Sequence, residues 1–110
     1  MAKKILSKKQ ITELAKRVAI EAGKDNFPIS DVFLFGSYAK NKAKEDSDLD
    51  VCFVSDKFKN SIEAEAYLRT KVFFLFKYDT PIDVVAFRPS EFKLNSPLAL
   101  EIRNTGIKIV

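Results

Sequence analysis

The residue types that could do chemistry are gathered between Phe33 and Val54, FLFGSYAKNKAKEDSDLDVCFV. A Gly36-Ser37 pair ends an apolar, strand-like segment, Asp48 follows Ser37 by eleven residues, and Asp50 opens a second apolar segment. Asp83 opens a third, IDVVAF. Side chains two apart on a strand share a face, so Asp48 and Asp50 project together. Two neighbouring carboxylates repel unless a cation lies between them. Mg²⁺ favours such oxygen ligands in combination with substrate phosphates. If the Asp83 strand lies beside the Asp50 strand, all three carboxylates can share a site. Two ions roughly 3.5–4 Å apart then flank a reacting phosphate in nucleotidyl transfer. Gly36 would let the main chain approach phosphates, amides at a strand-to-helix turn favour an anion, and the Ser37 hydroxyl adds a donor. Lys40, Lys42 and Lys44 put positive charge next to that turn. Ser47, directly before Asp48, joins the nucleotide-binding candidates, with turn capping as its plainer role.

Taken singly, each feature has a plainer explanation. Gly-Ser after a strand is commonly a turn, Asp-x-Asp a solvated loop, and an aspartate at a strand start no more than that. Their joint occurrence in order, each at the end of an expected strand, carries the reading.

Composition narrows the chemistry further. The chain has no histidine and one cysteine, Cys52. Ser-His and Cys-His catalysis, imidazole zinc sites, an intrachain disulfide and cysteine metal clusters are therefore excluded. Cys52 falls inside an apolar strand and reads as a buried structural thiol. At 110 residues, with 46% hydrophobic residues and ten Phe, the expectation is one domain spanning 1–110 with a substantial core. A separate acceptor-binding domain does not fit into that length, so a large acceptor would be met by this one surface or brought by a partner chain. The net charge of +4 is moderate, and Lys3, Lys4, Lys8 and Lys9 read as a solvated start. Nucleic-acid binding is not favoured, because no aromatic-basic motif supports it and clustered carboxylates oppose a phosphate backbone. No segment approaches the roughly 20 apolar residues of a membrane span, and no signal-like stretch opens the chain, so a cytoplasmic protein is expected.

The elements that must position these residues are legible. Ser7 and Gln10 form a capping-box pattern ahead of Ile11, Leu14, Ala15, Val18, Ala19 and Ala22 at helical spacing, with Gly23 as the stop. Residues 32–35, 49–54 and 82–87 read as strands, and 37–42 as a short helix or turn. Asn60 with Glu63 starts a second helix through Ile62, Ala66, Leu68, Val72, Leu75 and Phe76, broken by Thr80-Pro81. Ser96-Pro97 starts a third that Gly106 closes, and 107–110 adds an edge strand. Only the polar loop 43–47 separates the Gly-Ser turn region from the second strand. A full parallel crossover normally needs a dozen or more residues, so a mixed or antiparallel pairing of the first two strands is expected. The prediction is a small α+β domain with one mixed sheet and helices on one face.

GSYAKNKAKEDSDLDV resembles the signature of the DNA polymerase beta-like nucleotidyltransferase superfamily, Gly-Ser, about ten residues, then Asp-x-Asp. The likeness is closest to its minimal nucleotidyltransferase (MNT) group and runs from the first helix to SPLALEIRNTGIKIV. The resemblance implies the polymerase beta-like fold, Gly36 and Ser37 at the nucleotide phosphates, and Asp48, Asp50 and Asp83 as ligands of a Mg²⁺ pair. Asp83 would also lie beside the attacking hydroxyl, as its general base. The group commonly has Arg-Gly where this chain has Lys40 and Asn41; lysine keeps the charge without the bidentate grip, and asparagine can still take a left-handed turn. The implied activity is AMP transfer from ATP to a hydroxyl, with release of pyrophosphate. In the group, such domains pair with an all-helical HEPN toxin and act as antitoxins, one route being AMP transfer to a toxin tyrosine. The alternative is a non-catalytic antitoxin that neutralises its partner by binding, with the aromatic-rich segments Phe73 to Tyr78 and Phe87 to Phe92 as candidate apolar surface. The sequence leaves a homo-oligomer open.

Overall fold

The computed structural model describes residues 5–44, 47–76, 80–94 and 96–110; Lys3, Lys4 and Tyr78 lie outside them. Helix α1 (Lys8–Lys24) begins at the expected capping box, where Ser7 Oγ accepts from the Gln10 N–H and Gln10 Oε1 from the Ser7 N–H. It continues past Gly23, and the left-handed residue after its end is Asn26, at φ 67°. Strand β1 (Asp31–Phe35) leads into the one-turn helix α2 (Gly36–Ala39), and β2 (Leu49–Val54) follows the loop. Helix α3 (Ser61–Leu75) is capped by Asn60, whose side chain accepts from the Glu63 N–H. Then come β3 (Ile82–Phe87), the short α4 (Pro89–Phe92), α5 (Pro97–Thr105) and β4 (Ile107–Lys108).

The four strands form one sheet in the order β3-β2-β1-β4. As expected, β1 and β2 are antiparallel, while the crossover through α3 makes β2 and β3 parallel. Strand alternation gives the sheet two apolar faces. Val32, Leu34, Val51, Phe53, Val84 and Ala86 pack under α1 and α3, which contribute Ile11, Leu14, Ala15, Val18, Ala64, Leu68 and Val72. The expectation of helices on one face only holds for these two long ones; the short C-terminal helices do not lie there. The opposite face presents Phe33, Phe35, Cys52, Val54, Val85 and Phe87, and Phe92 of α4 and Ile102 of α5 cover it. Phe92 stacks on Phe33 with ring centroids 4.9 Å apart. Burial there pushes the Cys52 thiol up to about 12, which makes it an inert packing residue.

Two further details differ from the sequence reading. Helix α4 was not anticipated, although Pro89 at its first turn and Glu91, whose carboxylate accepts from the Arg88 N–H at 2.9 Å, form a recognisable start. In α3 the buried stripe is Ala64, Leu68 and Val72, at four-residue spacing, whereas Ile62 and Ala66 face outward. A helix apolar on more than one side has no single face that its sequence marks as inner.

Candidate active site

The end of β1 and the starts of β2 and β3 meet at one end of the sheet. Phe35 pairs with Asp50 across the antiparallel ladder, and Asp50 pairs with Asp83 across the parallel one. Asp50 and Asp83 are thus side by side on the face that carries α4 and α5, away from the two long helices. Asp48 lies just before β2, near enough for its charge to act on Asp50. The three aspartates singled out from the sequence are brought together.

Gly36 supports this cluster in a way that spacing alone did not reveal. Its φ is +71°, and a Cβ built there would stand 2.1 Å from Asp50 Oδ2. The Asp50 carboxylate therefore rests against a main chain that only glycine leaves open. Ser37 follows at the first turn of α2, which no side chain caps at Phe35. Lys40 ends α2 and Asn41 takes the left-handed conformation, φ 59°, which asparagine adopts more readily than most residues. Ser47 closes its own loop: its Oγ accepts from the Lys44 N–H at 2.8 Å, and its N–H donates to the Lys44 carbonyl.

Sequence reading missed one member, Glu101 on α5. Ile102 and Ala99, both fully buried, anchor that helix on the sheet. Glu101 Oε1 then lies 3.6 Å from Lys40 Nζ, and its charge also reaches Asp50. No local motif marks it, since its role depends on which sheet face α5 covers.

Burial, followed by the negative charges of Asp83, Asp48 and Glu101, pushes the Asp50 carboxyl up to about 6. A carboxyl whose pKa is raised on folding stabilises the fold while protonated. That contribution is present below about pH 4 and lost as pH rises toward 6. For a sealed group the displacement would correspond to about 3 kcal/mol; Asp50 is half exposed, and screening reduces this to on the order of 1 kcal/mol. Without divalent ions, Asp50→Asn is expected to melt with the wild type at pH 4 and about 4–8 °C above it at pH 7.5. Equal melting temperatures at both pH values would contradict this electrostatic picture.

The donor set suits a hard divalent cation: several carboxylate oxygens are crowded together, and the ammonium at the site, Lys40, is shared with Glu101. Among the described residues, no three Asp, Glu, His or Cys side chains stand in a ready-made cage for an ion. The carboxylates fit the ion by chemistry and electrostatics, in the manner of Mg²⁺ sites completed by phosphate oxygens and water.

A mixed sheet ending in clustered aspartates beside a glycine-hinged turn defines a class, the nucleotide-transferring α+β domains. The family model described as "Nucleotidyltransferase domain" matches residues 16–105, and the chain belongs to that family. No curated protein matches it significantly by sequence. Among solved structures, a toxin-antitoxin with AMP-PNP superposes with a TM-score of 0.60 at 21% identity, over 96% of this chain and 73% of that one. A variant of the toxin-antitoxin MntA-HpeT gives 0.58 at 22% identity, over 94% and 72%. A second MntA-HpeT variant gives 0.56 at 19%, over 96% and 73%. These likenesses establish the shared fold. No helix among the described residues is long and apolar enough to cross a membrane.

Proposed function

We propose that this chain, acting as a single cytoplasmic module, transfers AMP from ATP to a hydroxyl group of a partner protein and thereby serves as an antitoxin. The observation that carries the reading is the pairing of Asp50 with Asp83 at the sheet end, with Gly36 held against the Asp50 carboxylate. Family membership and the AMP-PNP carried by a structural neighbour support a nucleoside triphosphate as donor. Toxin-antitoxin neighbours support a protein acceptor, proposed to be a tyrosine of a HEPN-type toxin.

In this proposal the Gly36-Ser37 turn receives the triphosphate, and Lys40 exchanges Glu101 for a phosphate oxygen. Ser47 shapes the loop that delivers Asp48. Asp48, Asp50 and Asp83 would hold Mg²⁺, whose charge neutralises the phosphates and the departing pyrophosphate. Asp83, exposed at the start of β3, accepts the acceptor's proton. The acceptor oxygen forms a bond to the α-phosphorus while the bond from that phosphorus to the bridging oxygen breaks. Pyrophosphate leaves with the electron pair, and the proton passes from Asp83 to solvent.

The test is incubation of the protein, Mg²⁺ and its co-purifying partner with ATP labelled at either the α- or the γ-phosphate. Label is expected on the partner from α-labelled ATP only. Label from the γ-position would replace this reading with phosphoryl transfer. The binding-only alternative draws on a separate observation: Ile62, Phe73 and Phe74 of α3 are 80%, 78% and 70% exposed, an apolar surface suited to masking a partner.

A further inference from the structure

Strand β3 is an edge of the sheet, and its main chain faces two ways. Pro81 and Phe87 turn their carbonyls toward β2, accepting from the Leu49 and Ser55 N–H groups at 2.8 and 3.1 Å. By alternation, Ile82, Val84 and Ala86 direct theirs outward. The far end of this edge is already engaged, because the Ala86 N–H donates to Glu65 Oε2 at 3.2 Å. The near end, at Ile82 and Val84, borders a groove of about 400 Å³ between β3 and the last turns of α3, whose lining includes Arg69, Val72, Phe73, Phe76 and Thr80 beside Ile82 and Val84.

We propose that this edge and groove receive an extended segment of the partner protein, which adds as a strand beside Ile82–Val84 and presents its hydroxyl to Asp83. An unpaired strand edge is complementary to extended main chain. The pleat supplies the rest of the argument. Ile82 and Val84 point to the α3 face and Asp83 to the opposite one, so a strand added alongside alternates in the same way. Two apolar side chains enter the groove, and the residue between them falls on the carboxylate face. The volume of the groove suits a few side chains rather than a whole helix. Charge selects the occupant further. Among the described residues, the charged one lining the groove is the cation Arg69, 3.7 Å from Glu65, which also serves the Ala86 N–H, so an acidic residue on the groove side of the segment is favoured. A second copy of this chain fits less well. Symmetric pairing of two β3 edges would set Arg69 against Arg69 and bring two aspartate clusters to one junction. The inference rests on the nucleotidyl-transfer reading for the purpose of the hydroxyl, but not for the binding itself.

The test uses the full chain and a synthetic peptide, Lys-Ile-Tyr-Val-Lys-Glu, with blocked ends. Its isoleucine, valine and glutamate share one face and its tyrosine lies on the other. In heteronuclear spectra the amides of Ile82 and Val84 should move on titration. Replacing the peptide valine by proline, or the exposed Phe73 by lysine in the protein, should weaken binding about tenfold or more. Exchanging the tyrosine and valine should preserve edge binding but turn the hydroxyl into the groove. With ATP and Mg²⁺, the first peptide should then gain the mass of AMP while the exchanged peptide does not. Unmoved amides, equal binding of the proline peptide, or self-association through β3 at working concentration would each overturn the docking surface. Edge binding with neither peptide modified would uphold the surface and count against the transfer reading.

Discussion

Asp48→Asn combined with Asp50→Asn is expected to abolish AMP transfer, by about 10³-fold or more, while leaving a folded protein that melts no lower than the wild type. The first half follows from the chemistry of the site. Both carboxylates are proposed to hold the cations that offset charge on the triphosphate and leaving pyrophosphate, and losing one charge-stabilising group costs about 10²–10³ in rate. The second half follows from the folded ground state. Asp50 is half buried and surrounded by Asp83, Asp48 and Glu101, so its charge opposes folding when no cation is present. Asparagine keeps the shape and removes that charge. Lost activity together with retained or raised stability separates a chemical role from a structural one, and normal turnover by the variant would overturn the proposed mechanism. The same variant also decides between the two readings of antitoxin action. If it still neutralises the partner in cells, masking suffices and transfer is dispensable; if neutralisation disappears with transfer, modification is the mode of action.

The second large effect is expected at Gly36, a position without a functional group. Gly36→Ala would place a methyl 2.1 Å from Asp50 Oδ2 on a backbone with φ +71°. The left-handed conformation alone costs an alanine roughly 1 kcal/mol, and the clash displaces a carboxylate of the proposed metal site. Misplacement by about 1 Å can lower rates about 10²-fold. Transfer should therefore fall by about that factor, with a lower melting temperature. Gly23→Ala is the matched control. That glycine sits inside α1 with nothing within 4 Å of a built Cβ, so the substitution should raise stability by about 0.5–1 kcal/mol and leave transfer unchanged. Wild-type transfer by Gly36→Ala would mean that the contact between the turn and Asp50 is not used.

Much of this molecule could be read from the chain because the signals are local. Ser7 with Gln10, Asn60 with Glu63 and Ser96 with Pro97 mark helix starts through side chains that reach only three residues along. Short apolar runs and terminal breakers marked β1, β2 and β3 nearly to the residue. The spacing of Gly36, Ser37, Asp48 and Asp50, with Asp83 at a later strand start, identified the candidate site. The short polar loop before β2 made antiparallel pairing of the first two strands the natural choice.

What sequence alone determined, then, are most of the elements, the antiparallel pairing of the first two strands, and the aspartates at strand starts; each depends on residues a few positions apart or on a connection with little room for a crossover helix. Tertiary structure decided which surfaces meet. It placed β3 parallel beside β2 so that Asp83 stands next to Asp50. It laid α5 on the carboxylate face so that Glu101 reaches Lys40. It buried Ala64, Leu68 and Val72 of α3 and left Ile62, Phe73 and Phe74 outside, although nothing in that helix's own pattern separates the two sets. It also pressed the Asp50 carboxylate against Gly36, turning a loop glycine into a constraint on the site. These are contacts between residues far apart in the chain, and the free energy that selects them belongs to the packed sheet and helices together rather than to any one segment.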